Sequence, residues 1–349
     1  MKAAVFHAPG DMRIETVPTP TIGDEDVLLK VHACAICGTD QRIFRHGHKA
    51  VKPPHILGHE IAATVAKIGS KVTEVRVGDK VCLDPIVACG ACAYCKRGLT
   101  NLCLVFKQTT EAFGYFYPGG FADFLAVPGR AVRRGNLLRV PAGLSLDEAA
   151  IAEPMACALN GMSTSQLSVG ESILIVGTGP IGCMHISLAR NLGAARIIVA
   201  EIQPDRLAMA RQFGADRYVN PQTEDLTAAV MQETDGLGAS VVMVAVSNRM
   251  AQQNAVALAA PRGRVNFFGG LPKDDFQVTI DSNTVHYKEL YLHGTSGTTA
   301  AKIETCMALM AAGRVPGKDF ITRTLALDEL PGYLAAGQFG NDLKVIVKP

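Results

Sequence analysis

"SVGESILIVGTGPIGCMHISLARNLGA", residues 168–194, carries the decisive reading of this chain. Its apolar run from Ile173 to Val176 has the length and branched content of a buried strand, and Gly177, Gly179 and Gly182 then lead into helical periodicity. G-x-G-x-x-G alone is a weak signal. Between a strand and a helix it gains force: the glycines permit a tight turn and close backbone approach, while the helix opening at Pro180 and Ile181 presents its N-terminus to a pyrophosphate. The next strand, "ARIIVAE", ends at Glu201, 19 residues beyond Gly182. A carboxylate there suits the adenosine ribose hydroxyls and repels the 2′-phosphate of NADP, which favours NAD. Arg206, five residues further on, reads chiefly as the exposed face of the next helix and completes the residues on the cofactor side.

Working outward, alternation continues. Helical "PDRLAMARQFGA" (204–215) leads to "RYVN", "DLTAAVMQET" (225–234) to "SVVMVAVS" (240–247), and "MAQQNAVALAAPRG" (250–263) to "RVNFFGG" (264–270), with a last strand in "KELYLHGTS" (288–296). Such succession predicts a doubly wound parallel sheet with helices on both faces. Residues 1–150 differ: short alternating runs such as "VLLKVHAC" and "DKVCLDP", punctuated by Gly and Pro, predict a compact antiparallel β domain.

Composition bounds the partners. The chain has 349 residues, 48% hydrophobic and 19% charged, with a net charge of +2, so no electrostatic footprint points to nucleic acid or an anionic membrane. A small-molecule partner is expected. The start, "MKAAVFHAPGDM", breaks at Pro9 and Gly10, and no apolar run approaches the roughly 18 residues of a membrane span. The expected location is the cytoplasm, where thiols stay reduced and clustered cysteines hold metal more often than disulfides.

"CGACAYCKRGLTNLC" (89–103) is such a cluster. Cys89, Cys92, Cys95 and Cys103 are spaced so that successive thiolates turn inward and the fourth closes a tetrahedron around Zn²⁺, leaving no open position, as in structural zinc sites. Unligated loop cysteines or an iron–sulfur cluster are the competing readings. A second constellation lies in "CAICGTD" (34–40), "ILGHEIAATV" (56–65) and "AIAEPMAC" (150–157). Cys37, His59 and Glu60 offer one thiol, one imidazole and one carboxylate, a set that can keep a position free for substrate. Glu153, in an apolar context before a proline, needs a cation or a metal if buried; a structural histidine and a helix-end carboxylate are the plainer alternatives. His46, His48 and His55 read as structural or solvated.

"CGTD", "GHE", the four-cysteine lobe, "EP" at 153–154 and "GTGPIG" occur together in the order and spacing of one family. The whole chain resembles the zinc-dependent medium-chain alcohol and polyol dehydrogenases, the sorbitol dehydrogenase group most and the threonine dehydrogenases somewhat less. The resemblance implies a GroES-like catalytic domain over residues 1–153, completed by 294–349, with a Rossmann domain over 154–293. It implies one structural and one catalytic zinc, the latter near Cys37, His59 and Glu153 with Glu60 as an adjacent or exchanging ligand. Polyol-type members carry glutamate at the place of Glu153, whereas related threonine dehydrogenases tend to carry aspartate before the proline. The implied reaction moves a hydride from a secondary alcohol of a sorbitol-type polyol to NAD, giving a ketose, after zinc polarises the hydroxyl. Thr39 fits the hydroxyl that opens a proton relay. Family members often place a histidine five residues after the zinc cysteine, where this chain has Arg42, and Arg does not exchange protons near neutral pH. Arg42, Arg45 and Lys49 thus read either as a solvated basic loop or as a seat for an anionic substrate such as a polyol phosphate.

Oxidation of L-threonine is the nearest alternative activity. A methyltransferase using S-adenosylmethionine would share the glycine-rich turn but leave both metal constellations unexplained. Pocket shape is expected to depend on side chains near Phe113, Tyr115 and Phe116 and around Thr295 and Ser296. A homodimer or homotetramer is implied, with "ELYLHG" as an edge strand that could pair.

Overall fold

A computed structural model describes residues 1–337 and 342–349. The chain divides into two compact units, one formed by Met1–Ala156 with Thr298–Pro349 and the other by Cys157–Gly297. The first boundary falls within helix Ala152–Thr164.

The inner unit is built on six parallel strands: β1 (Ser172–Val176), β2 (Arg196–Ala200), β3 (Arg217–Val219), β4 (Ala239–Val244), β5 (Ala259–Phe267) and β6 (Tyr291–Gly294). Their order across the sheet is 3-2-1-4-5-6 and every neighbouring pair is parallel. This is the dinucleotide-binding order, in which the chain reverses direction across the sheet beside β1 and opens a crevice at the carboxyl ends of the strands. Leu174, Ile198, Val242 and Val265 are all fully buried in its core, as near-continuous Val/Ile runs demand of strands covered on both faces. The helix expected over 250–263 ends early, spanning Arg249–Ala255, and β5 begins at Ala259. Pro261 lies within that strand, where it could not have continued a helix.

The outer unit contains a seven-stranded sheet ordered 321–326, 344–348, 27–35, 60–68, 80–83 and 137–139, with 124–127 also paired to 27–35. A three-stranded sheet joins 11–16, 2–8 and 55–56. The pairing is antiparallel except between Ile321–Ala326 and Lys344–Lys348, which run parallel, so the C-terminal segment makes the sheet mixed rather than purely antiparallel. Leu29, Ile61, Leu83, Phe121 and Leu125 form its buried centre. No helix among the described residues is long and apolar enough to cross a membrane.

Candidate active site and metal centres

Among the described residues, two groups of metal-donor side chains form in the outer unit. The first is local. Cys89, Cys92, Cys95 and Cys103 bring four sulfurs within 4.8 Å of one another. The Sγ atoms of Cys92 and Cys95 lie 3.5 Å apart, and those of Cys89 and Cys95 3.9 Å apart. A tetrahedron of thiolates about 2.3 Å from zinc has edges of about 3.8 Å, so the cluster fits that ion. Backbone N–H groups already point at the sulfurs: those of Ala91 and Cys92 donate to Cys89, and that of Cys89 donates to Cys103. Backbone donors, that of Cys95 first, pull the Cys92 thiol down to about 6, while burial pushes Cys95 up to about 12. Four sulfurs so placed favour a divalent cation over their protons.

The second group is assembled from distant segments. Antiparallel pairing of 27–35 with 60–68 sets Ala35 opposite Glu60, so Cys37, two residues past the strand end, comes beside His59 and Glu60. Gly58 permits this. It has φ +92°, and a Cβ there would meet Cys34 Sγ at 2.6 Å and Phe121 at 3.0 Å. The Cys37, His59 and Glu60 donor atoms lie within 4.8 Å of one another. Glu153, on the first turn of helix Ala152–Thr164, is buried at 8% exposure but stands outside that 4.8 Å set. Its charge is near enough to help raise the pKa values of Glu60, Asp84 and Cys82.

Charged neighbours hold these donors. Asp40 is fully buried; its Oδ2 accepts the Cys37 backbone N–H at 2.9 Å, and its Oδ1 lies 3.6 Å from His59 Nδ1. Nδ1 thus faces a carboxylate, which leaves Nε2 as the metal-binding nitrogen. Although burial opposes charge on His59, Tyr115, Asp40 and Cys37 outweigh it and hold the imidazole well above its ordinary range. Lys344 donates to Glu60 at 2.8 Å and to the Ile36 carbonyl at 2.7 Å, with both partners of the ion pair buried. Burial nevertheless pushes Glu60 up to about 7. One thiol, one imidazole and one carboxylate, with a second carboxylate nearby, suit zinc with a position left for substrate. Around them, Thr39 Oγ1 accepts from Arg42 at 3.1 Å and also bonds the Tyr115 side chain, whose ring lies 5.5 Å from that of His59. Burial pushes the Tyr115 phenol up to about 12.

In the inner unit the glycine loop has the expected divisions of labour. Gly177 has φ +96°, and a Cβ on Gly182 would strike the Gly177 carbonyl oxygen at 1.9 Å, so helix and strand end pack closer than any side chain allows. A Cβ on Gly179 would meet nothing within 4 Å, which is the clearance a pyrophosphate needs. Pro180 and Ile181 open helix Pro180–Asn191. Glu201 is buried at the end of β2; it accepts the Thr178 backbone N–H at 2.9 Å and that of Gln203 at 3.0 Å. Arg206 is half-buried on helix Pro204–Ala210. In the stretch expected to bear on pocket shape, Phe113 is fully buried in the sheet core, while Phe116 is exposed. Thr295, half-buried, accepts from the buried Asn266 at 2.9 Å. Asp40 and Lys344 were missed by sequence reasoning. Asp40 follows Cys37 at helix-capping distance, and Lys344 heads the apolar run "KVIVK", where a buried cation demands an acid.

Comparison with known proteins agrees with this picture. The model of the alcohol dehydrogenase GroES-like domain matches residues 23–136, and that of zinc-binding dehydrogenase matches 180–312. Sorbitol dehydrogenase of Bacillus subtilis is 33% identical over 359 residues, covering 100% of this chain and 97% of that protein. L-threonine 3-dehydrogenase of Pyrococcus horikoshii is 35% identical over 302 residues, covering 85% and 83%. A zinc-binding dehydrogenase from Sinorhizobium meliloti 1021, solved bound to NADP, superposes with a TM-score of 0.91 at 30% identity, covering 100% and 99%. The chain belongs to the zinc-dependent medium-chain alcohol dehydrogenase family. It is an oxidoreductase of GroES-like and Rossmann architecture that uses zinc and a nicotinamide cofactor.

Proposed function

We propose that the protein oxidises a secondary hydroxyl of a sorbitol-type polyol to the ketone with NAD, at the centre formed by Cys37, His59, Glu60 and Glu153. The observation that carries this reading is the convergence of the Cys37, His59 and Glu60 donor atoms within 4.8 Å, with Glu153 buried on the first turn of helix Ala152–Thr164. When bound, zinc supplies polarisation of the substrate hydroxyl, and NAD supplies the hydride acceptor.

The chain's own residues do the rest. Asp40 fixes the His59 ring so that Nε2 is presented, and Lys344 keeps the Glu60 carboxylate in place beside the thiol. Glu60 and Glu153 give the centre two carboxylates, one to bind and one to exchange or hold water. Thr39, two residues after Cys37, supplies the hydroxyl that opens the proton relay, and its oxygen accepts a hydrogen bond from Arg42. On the cofactor side, Gly177, Gly179, Pro180, Ile181 and Gly182 cradle the pyrophosphate at the helix N-terminus. Glu201 takes the adenosine ribose and disfavours a 2′-phosphate, and Arg206 borders that end. The Cys89, Cys92, Cys95 and Cys103 lobe holds a second zinc with a structural role. The active form is a homodimer or homotetramer in the cytoplasm.

Zinc-supplied protein, tested for NADH formation across polyols, diols and L-threonine, should respond to polyols. Turnover of L-threonine alone would transfer the assignment to the L-threonine 3-dehydrogenase activity after which several relatives are named. Preference for NADP would refute the role of Glu201.

A further inference from the structure

Helix Gly38–His46 and the loop that follows it hold an uncompensated positive charge beside the metal-donor cluster. Residues 38–52 contain Arg42, Arg45, Lys49 and Lys52 against one acid, Asp40. Asp40 is fully buried and spent on the Cys37 backbone and His59. All four cations are exposed, and none forms an ion pair among the described residues, whereas Arg13, Arg133, Arg190 and Arg323 each have a carboxylate partner. Arg45 is turned onto the Gly337 carbonyl at 2.8 Å. Arg42 is turned the other way: its guanidinium donates to Thr39 Oγ1 at 3.1 Å, two residues from Cys37, with Tyr115 on the same hydroxyl. The fork is therefore held on a hydroxyl two residues from the donor Cys37, and a guanidinium has five N–H donors of which Thr39 uses one.

We propose that Arg42 is an anion seat at the substrate position and that the alcohol oxidised here carries a phosphate, so that the substrate is a polyol phosphomonoester. The inference rests on the polyol reading above and narrows it. A planar fork matches two oxygens of a phosphate, and the charge of Arg45, Lys49 and Lys52 adds an attractive field that an uncharged sugar alcohol would not use. The same phosphate chemistry could come from the pyrophosphate of the cofactor, and the experiment separates the two sources.

The test uses the full-length protein loaded with zinc, comparing wild type with Arg42→Gln and Arg42→Lys. Its substrates are sorbitol, galactitol and their terminal monophosphates, with inorganic phosphate as competitor. The expected result is a kcat/KM for at least one ester about ten- to hundredfold above that of its parent polyol, lost in Arg42→Gln through KM, partly kept in Arg42→Lys, and accompanied by an unchanged KM for NAD. Inorganic phosphate should compete with the ester in wild type and weakly in Arg42→Gln. A rise in the KM for NAD with no change in ester preference would assign the seat to the cofactor and overturn the proposal. Equal use of polyol and ester by wild type would overturn it while leaving the polyol reading in place, and turnover of neither would remove both.

Discussion

The two donor clusters of the outer unit use overlapping chemistry and opposite construction. The four-cysteine lobe is made within fifteen residues, and its sulfurs are served by backbone N–H groups. The Cys37, His59 and Glu60 centre is made by a strand pairing, and its donors are served by the buried charged side chains Asp40 and Lys344. The difference teaches what each can do. Four thiolates leave a zinc no open position for substrate, which is why the lobe is proposed as a structural staple. A centre of mixed donors under charged neighbours can admit a substrate and tune it, which is the requirement for catalysis.

The largest effect that could break this contrast is Cys37→Ser. It should lower kcat/KM at least about a thousandfold and reduce bound zinc to one per chain, with the melting temperature little changed. Metal analysis and steady-state kinetics check it; full activity in the variant would move catalysis elsewhere. Cys92→Ser should do the reverse, removing the other zinc and destabilising the chain by about 4 kcal/mol, as read by denaturant unfolding. An unchanged unfolding curve with one zinc lost would show that the lobe holds nothing together.

Lys344→Met sharpens the comparison further, because it removes a charge that only the second centre needs. Leaving Glu60 without its cation should cost about 3 kcal/mol and lower zinc affinity at that centre without touching the lobe. The smallest effect lies in the inner unit, away from both clusters. His185 is fully buried with neither ring nitrogen bonded among the described residues, and burial pushes its pKa down to about 3. Because the folded value lies below the ordinary 6.5, His185 favours folding above pH 6.5 and that stability is lost as the pH falls toward 3. Between pH 7 and pH 5 the loss should be about 2 kcal/mol, and His185→Leu should flatten that slope while both zincs remain.

The same contrast explains what the sequence made legible. The lobe could be read because its geometry is local: two-residue spacers bring thiolates together whatever the rest of the chain does. The glycine loop was equally readable, since the strand, turn and helix that give it meaning are contiguous. At the second centre, residue types pointed to Cys37, His59 and Glu60, yet the group that holds Glu60 is Lys344, 284 residues away. No local pattern announces such a pair. Asp40 was hidden differently, by a helix-cap position that is usually filled for backbone reasons alone. Facing around Phe113 was not legible either, because proximity in sequence to Tyr115 says nothing about it: the Phe113 backbone N–H bonds Pro85, and its ring turns into the core.

The most direct test of this account is stepwise removal of zinc from the wild-type protein by a chelator, with NADH formation from a substrate found in the polyol screen and the melting temperature followed together. Loss of all activity with the first zinc equivalent, while the melting temperature holds until the second leaves, is the predicted result. Activity that survives the first equivalent while the melting temperature falls would contradict the division between an open catalytic centre and a closed structural lobe.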